Sequence, residues 1–314
     1  MRKHAILFFL LVAGHFSSAQ KNDPGADVVL FEKALLLQQL VNYDLDLDRT
    51  IDLQDSLAEI AAFAGDMKET ILEKSLDFYD ELIETYPKSS LLCRALNNKG
   101  YILLEMDEVE EAEAVFLSIL NSNANDADKG GVGTGIMAEP YANYKNRAAK
   151  TLARLSIEKK DYQKALDYLN LTQKYVYRHF CGNEYAADKI YLTELYAQCY
   201  IGLKDSKKAT EILLPEILNN GLADNTDLVN LAYQVLLESY SREELRTKYE
   251  EAFTNYQVEK AKKRKEEYEK HYIVFLGQRV EIVSWDLEFL PADEKAKAMN
   301  RIYKQSPLYA LLNK

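Results

Sequence analysis

Glycine and proline are scarce in this sequence, at 12 and 6 residues in 314. Both residues punctuate chains, so their scarcity disfavours many short strands and favours long uninterrupted helices. Cysteine is scarcer still, at three. That excludes a disulfide framework, and a chain of roughly 300 residues needs none, since it can bury about three quarters of its unfolded surface. A basic excess is also missing. Lys and Arg number 39 against 50 Asp and Glu, a net charge of −11. This argues against a nucleic-acid partner and against a coat for anionic lipid. Beyond the N-terminal segment no apolar run approaches 18 residues, so the mature chain is expected to hold no transmembrane segment.

What remains is globular: 47% apolar and 28% charged residues. Such a length suits two domains or one elongated repeat array. Arg2, Lys3 and His4 precede nine apolar residues, Ala5 to Ala13, and small residues stand at Ser17 and Ala19. This is the pattern of a secretory leader, 1–19, and nine residues are too few to span a bilayer. Export to the periplasm or outside the cell is the expectation. Cleavage after Ala19 takes the net charge to −13. The mature chain keeps Cys93, Cys181 and Cys199, an odd number that leaves one thiol unpaired. Cys93 and Cys199 sit on apolar helix faces and read as buried; a Cys181–Cys199 bridge is a possible pairing.

From about Val28 to Lys270 the apolar spacing is mostly helical. Leu76, Tyr79, Leu82 and Ile83 recur at three and four, Pro87 breaks that helix, and Ser89-Ser90 offers the next N-cap. A helix with Leu92, Ala95, Leu96, Leu103 and Leu104 follows, then a short Asp107-Glu108 turn, then one with Ala112, Val115, Phe116 and Ile119. The pattern returns at Asp161–Ala165 and at Asp205–Ala209. Beyond His271, Tyr272–Leu276, Gly277 and Arg279–Trp285 read as two short strands or an extended segment. Pro291 can open a final helix through Met299 and Tyr303.

These positions resemble tetratricopeptide (TPR) repeats of the exported bacterial type. Gly100, Ala112 and Phe116 match one repeat; Ala153, Ala165 and Leu169 match a second; Ala197, Ala209 and Leu213 match a third. Ser75, Tyr79, Leu82 and Pro87 resemble the second half of an earlier one. The spacing between anchors exceeds the usual repeat of about 34 residues, so long loops are expected between pairs. The resemblance implies an all-α fold, an irregular right-handed helical-hairpin solenoid ending in a short extended or β-like segment. The expected organisation is capping helices over 20–65, repeats over 66–220, further capping helices over 221–271, and the terminal segment over 272–314.

Two long loops carry the candidate binding residues. The first, 121–140, contains Lys129, Gly131 and Gly133 in a stretch with four glycines in six residues, followed by Tyr141, Asn143 and Tyr144. It follows a helix and lacks a Gly-Lys-Ser/Thr ending, so it is no nucleotide loop. The second, 175–185, is aromatic and contains Tyr177, Arg178, His179, Phe180 and Asn183. The two loops flank one hairpin and could form a joint site. His179 and Cys181 could act as base and nucleophile on an extended stretch. A metal needs more ligands than this pair supplies. Tyr191, Tyr196 and Tyr200 read as a core stripe whose hydroxyls reach a rim. Asp44-Leu-Asp46-Leu-Asp48 opens like a calcium loop, but Arg49 stands where glycine is needed, so it reads as an acidic connection. Lys262–Lys265 and the following glutamates read as a charged helix with i,i+4 pairs.

The resemblance implies a non-enzymatic scaffold with no cofactor, binding a protein or peptide partner through a concave groove and the two loops. The alternative is a small-molecule binder or Cys-dependent enzyme centred on 129–144 and 175–185.

Overall fold

The computed structural model describes residues 24–45, 47, 54–129, 139–218, 222–263, 266–284, 287 and 290–314. The expected leader, Asp46, Asp48, Arg49, Gly131, Gly133 and Trp285 lie outside the described residues. Among those described, the chain forms twelve α-helices and one three-stranded antiparallel sheet: an all-α fold with a short β segment late in the chain. It divides into two compact units, Met1–Ala138 and Glu139–Lys314.

The first unit holds α1 (Ala26–Gln39), a π-turn (Leu40–Asp44), α2 (Gln54–Thr85), α3 (Leu92–Glu105) and α4 (Val109–Asn121). The expected domain boundary at 65 falls inside α2, which runs on without a break. Its core gathers Phe31, Ala34, Leu72, Tyr79, Leu82 and Ile102. Small residues let α1 and α2 approach at Ala34 and Ser75, both wholly buried. The Ser75 hydroxyl donates to the Ala34 carbonyl at 2.8 Å. Below it Tyr79 donates to Gln38 at 3.3 Å and accepts from Asn98 at 2.8 Å. The expected Ser89-Ser90 N-cap does not form. α3 starts later, and the Ser89 hydroxyl accepts from Leu91 N–H and donates to Asp27.

The second unit holds α5 (Tyr144–Glu158), α6 (Tyr162–Lys174), α7 (Gly182–Gly202), α8 (Ser206–Ile217), α9 (Thr226–Leu237) and α10 (Arg242–Thr254). The sheet follows, β1 (Gln257–Lys263), β2 (Glu266–Phe275) and β3 (Gln278–Ile282), and then α11 (Ala292–Gln305) and α12 (Pro307–Leu312). Successive hairpins stack in solenoid-like fashion, α6 on α7 and α8 on α9.

Three hairpins, α3–α4, α5–α6 and α7–α8, share one turn. Asp107, Lys160 and Lys204 each adopt a left-handed conformation, with φ of 62, 59 and 59°. In each turn the next residue's N–H reaches back five residues at 2.8 Å: Glu108 to Leu103, Asp161 to Ser156 and Asp205 to Tyr200. This closes the helix end in a Schellman motif. Asp161 and Asp205 then cap the following helix through their side chains. Each left-handed residue stands seven after Gly100, Ala153 and Ala197, five before Ala112, Ala165 and Ala209, and nine before Phe116, Leu169 and Leu213. All nine of these positions are buried. A Cβ on Gly100 would lie 2.7 Å from the Phe116 ring, which is why glycine stands there.

The charged helix expected at Lys260–Lys265 and the glutamates that follow is corrected to a pair of strands, Gln257–Lys263 and Glu266–Phe275. Glu259 faces Lys270, Lys260 faces Glu269, Lys262 faces Glu267 and Lys263 faces Glu266. Charges spaced to pair along a helix pair equally well across strands. A helix here would be polar all round, with no apolar stripe to bury. As strands, β2 and β3 bury Ile273, Phe275, Val280 and Ile282 on one face, against Tyr249, Phe253 and Tyr303. The two expected later strands do form, joined through Leu276 and Gly277, both at positive φ (53 and 80°). The helix expected after Pro291 also forms, but it is not the last: the short α12 follows it.

Candidate functional site: the loop between α6 and α7

The α6–α7 connection is shorter than expected, because α7 starts at Gly182 and takes Asn183 into its first turn. The remaining loop, 175–181, is stitched to the start of α5 by two asparagines. Asn143 has φ of 51°, a conformation asparagine tolerates better than most residues. Its amide brackets one residue of the loop, donating to the Arg178 carbonyl at 2.8 Å and accepting from Arg178 N–H at 2.9 Å. One turn later Asn146 donates to the Tyr175 carbonyl at 2.6 Å. Two of the loop's carbonyls and one amide are thereby satisfied from a helix that is itself buried.

Beneath the loop lies an ionic cluster that sequence reading missed. Lys150 is nine-tenths buried and pairs with Asp188, and its Nζ sits 4.5 Å from the centre of the Tyr177 ring. Arg147 pairs with Glu139. Burial pulls the Lys150 ammonium pKa down, and Asp188 partly restores it. Burial, with Glu139 second, pushes the Tyr177 phenol well above its ordinary range. The signal was available: Lys150 interrupts a run of small and apolar residues from Ala148 to Ala153.

Above the cluster four rings meet. His179 stacks on Tyr177 with centroids 6.1 Å apart and on Phe180 at 4.9 Å. Tyr185 meets Tyr177 edge-on at 6.0 Å, and its hydroxyl accepts from His179 N–H at 2.9 Å. The loop and the first turn of α7 thus present large apolar side chains to solvent: Phe180 is 74% exposed, Val176 57% and Tyr185 46%. Arg178 and Asn183 flank it, both exposed.

The sequence-nominated residues therefore separate. Tyr177, Arg178, His179, Phe180 and Asn183 gather at this loop. Asn143 is buried beneath it as a support, Tyr144 is buried at the start of α5, and Tyr141 is half-buried. Lys129 is an exposed residue of the first unit. His179 Nδ1 accepts from the Cys181 main-chain N–H at 3.0 Å, so in the neutral ring the proton sits on Nε2. Cys181 and Cys199 are not bridged. Cys199 is fully buried, and burial pushes its thiol up to about 11. Cys93 is only half-buried, short of the full burial expected. Tyr191 is exposed, while Tyr196 and Tyr200 are half-buried at a rim, the former within 3.4 Å of Asn170.

Among the described residues no group of three or more His, Cys, Asp and Glu side chains could hold a metal ion, and no helix is long and apolar enough to cross a membrane. A cleft of about 670 Å³ opens elsewhere in the second unit, between α8, the end of α9 and the β2–β3 turn. None of the nominated residues lines it. No protein-family model matches the chain, and a search of curated proteins finds no match.

Proposed function

We propose that this chain is an exported, non-enzymatic scaffold of the TPR type that binds a protein or peptide partner, with the α6–α7 loop as its contact. The observation that carries this reading is the rigid presentation of Phe180, Val176 and Tyr185 to solvent. Large apolar side chains on a pre-ordered backbone lose little entropy on binding and are common interface anchors. The three matching hairpin turns support the repeat assignment. Use of His179 Nδ1 by the main chain, not by the Cys181 thiol, supports the non-enzymatic reading.

The test is capture from the cell envelope with the mature chain, 20–314, as bait. A His179→Ala/Phe180→Ala bait should lose the captured partner, and a Cys181→Ala bait should keep it. Loss with Cys181→Ala alone, or retention by the double variant, overturns the assignment.

A further inference from the structure

The β1–β2 hairpin extends beyond the core that anchors it: β1 is exposed over most of its length, and its Val258 is 46% exposed. The sheet order is β1-β2-β3, so among the described residues no strand lies beyond β1. Register shows which of its main-chain groups are open. The β2–β3 turn has two residues, so Phe275 and Gln278 form the hydrogen-bonded pair that closes it. Counting back by twos, Ile273 and His271 also direct their main chain toward β3. Tyr272, Lys270 and Tyr268 direct theirs toward β1, to Gln257, Glu259 and Ala261. The N–H and C=O groups of Val258, Lys260 and Lys262 therefore point away from the sheet.

An open edge is a template for another strand, and the edge side chains choose which one. Val258, Lys260 and Lys262 share a face with His271, Glu269 and Glu267, their partners on β2. Lys262 is held by Glu267 at 2.9 Å, whereas Glu269, opposite Lys260, is drawn to Lys295 of α11. β1 thus carries three lysines against one glutamate in a chain of net charge −11. We infer that the open edge of β1 takes up an acidic extended segment of a partner protein by antiparallel strand addition. Acidic residues of that segment lie opposite Lys262 and Lys260, and an apolar residue lies opposite Val258. β2 is the internal template, since Glu267, Glu269 and His271 hold the same three places on the other side. A second copy of β1 does not fit: antiparallel pairing about Lys260 sets that lysine against itself and Val258 against Lys262.

The probe is a synthetic peptide, acetyl-Thr-Glu-Thr-Glu-Thr-Val-Thr-amide, added to the mature chain while amide hydrogen exchange is followed residue by residue. Binding should slow exchange at Val258, Lys260 and Lys262 and leave Glu259 and Ala261 unchanged, since those two already bond to β2. Val258→Pro removes an outward N–H without touching the β1–β2 ladder, and should weaken binding about tenfold or more. Unchanged protection of β2 and β3 amides in that variant confirms that the sheet is intact. A peptide with both Glu replaced by Lys should not bind. Equal binding of the Lys peptide, protection that does not alternate, or no protection at about 1 mM peptide overturns the inference. Phe180→Ala should leave this binding unchanged, which separates it from the loop reading.

Discussion

The helical hairpins and the C-terminal sheet solve the same problem with different means. In the hairpins, specificity comes from volume. Gly100 admits the Phe116 ring, and Gly202 lies where a Cβ would come within 2.3 Å of the Tyr162 ring. In the sheet's outer half there is no such interlock. β1 is held by main-chain bonds and a ladder of opposite charges. The hairpins therefore depend on shape that salt cannot screen, and the outer sheet depends on exposed charge that salt weakens. The first is held by interlocked volume; the second is held by the main-chain ladder and by charge at the surface.

Five outcomes would break or sharpen that contrast. The largest is Phe116→Ala, which empties a fully buried site between α3 and α4 and should cost about 3–5 kcal/mol in denaturant unfolding. A cost near that of a surface substitution would dissolve the idea of an interlocked hairpin. Second is an alkaline loss of stability. Burial pushes the Tyr79 phenol from 10.0 up to about 12. The folded state thus keeps a proton that the unfolded state gives up, so stability is full below pH 10 and declines as pH rises toward 12. The decline should reach about 2–3 kcal/mol, and a Tyr79→Phe chain should show a flatter slope over that window. Third, Gly100→Ala should cost about 1–3 kcal/mol, because the Phe116 ring is fully buried and cannot turn aside. Gly202→Ala should cost less, since Tyr162 is half-buried and can swing outward. Equal costs would mean that ring freedom does not matter here.

Fourth, the turns can be exchanged in kind. Lys204→Gly relieves a left-handed lysine on the exposed α7–α8 turn and should stabilise by up to about 1 kcal/mol. Gly277→Ala imposes that strain on the strand turn, where a Cβ meets nothing, and should destabilise by about 1 kcal/mol. Thermal melts of the two variants should shift in opposite directions. Smallest is Lys262→Glu, which sets like charges opposite Glu267. Both groups are more than half exposed, so the cost should be a few tenths of a kcal/mol and should fade with added salt. Local hydrogen exchange of β1, not global unfolding, is the measurement that resolves it.

The hairpins were readable in sequence because their signals are local. A small residue, a turn and a capping Asp recur at fixed offsets, and each acts within a few residues of its neighbours. α3 through α8, the helix after Pro291 and the later two strands follow from such signals. β1 was not readable. Its lysines and glutamates satisfy a helix and a ladder alike, and the choice belongs to β2, which, unlike β1, has an apolar face to bury. The candidate site divides the same way. The aromatic density of residues 175–185 stood out in the sequence. That Asn143 grips Arg178 across 35 positions, and that Lys150 and Asp188 meet beneath Tyr177, depends on contacts between separate helices.

Composition and local pattern alone thus settled that the chain is helical, where its hairpins turn, and which small residues mark their crossings. They did so because helix caps, breakers and close-packed pairs act over one or two turns. Folding in three dimensions decided the rest: whether a polar stretch became helix or strand, which tyrosines were buried, and which loop side chains were left facing solvent. Those choices compare the burial available to distant segments, and no stretch of chain carries that comparison by itself.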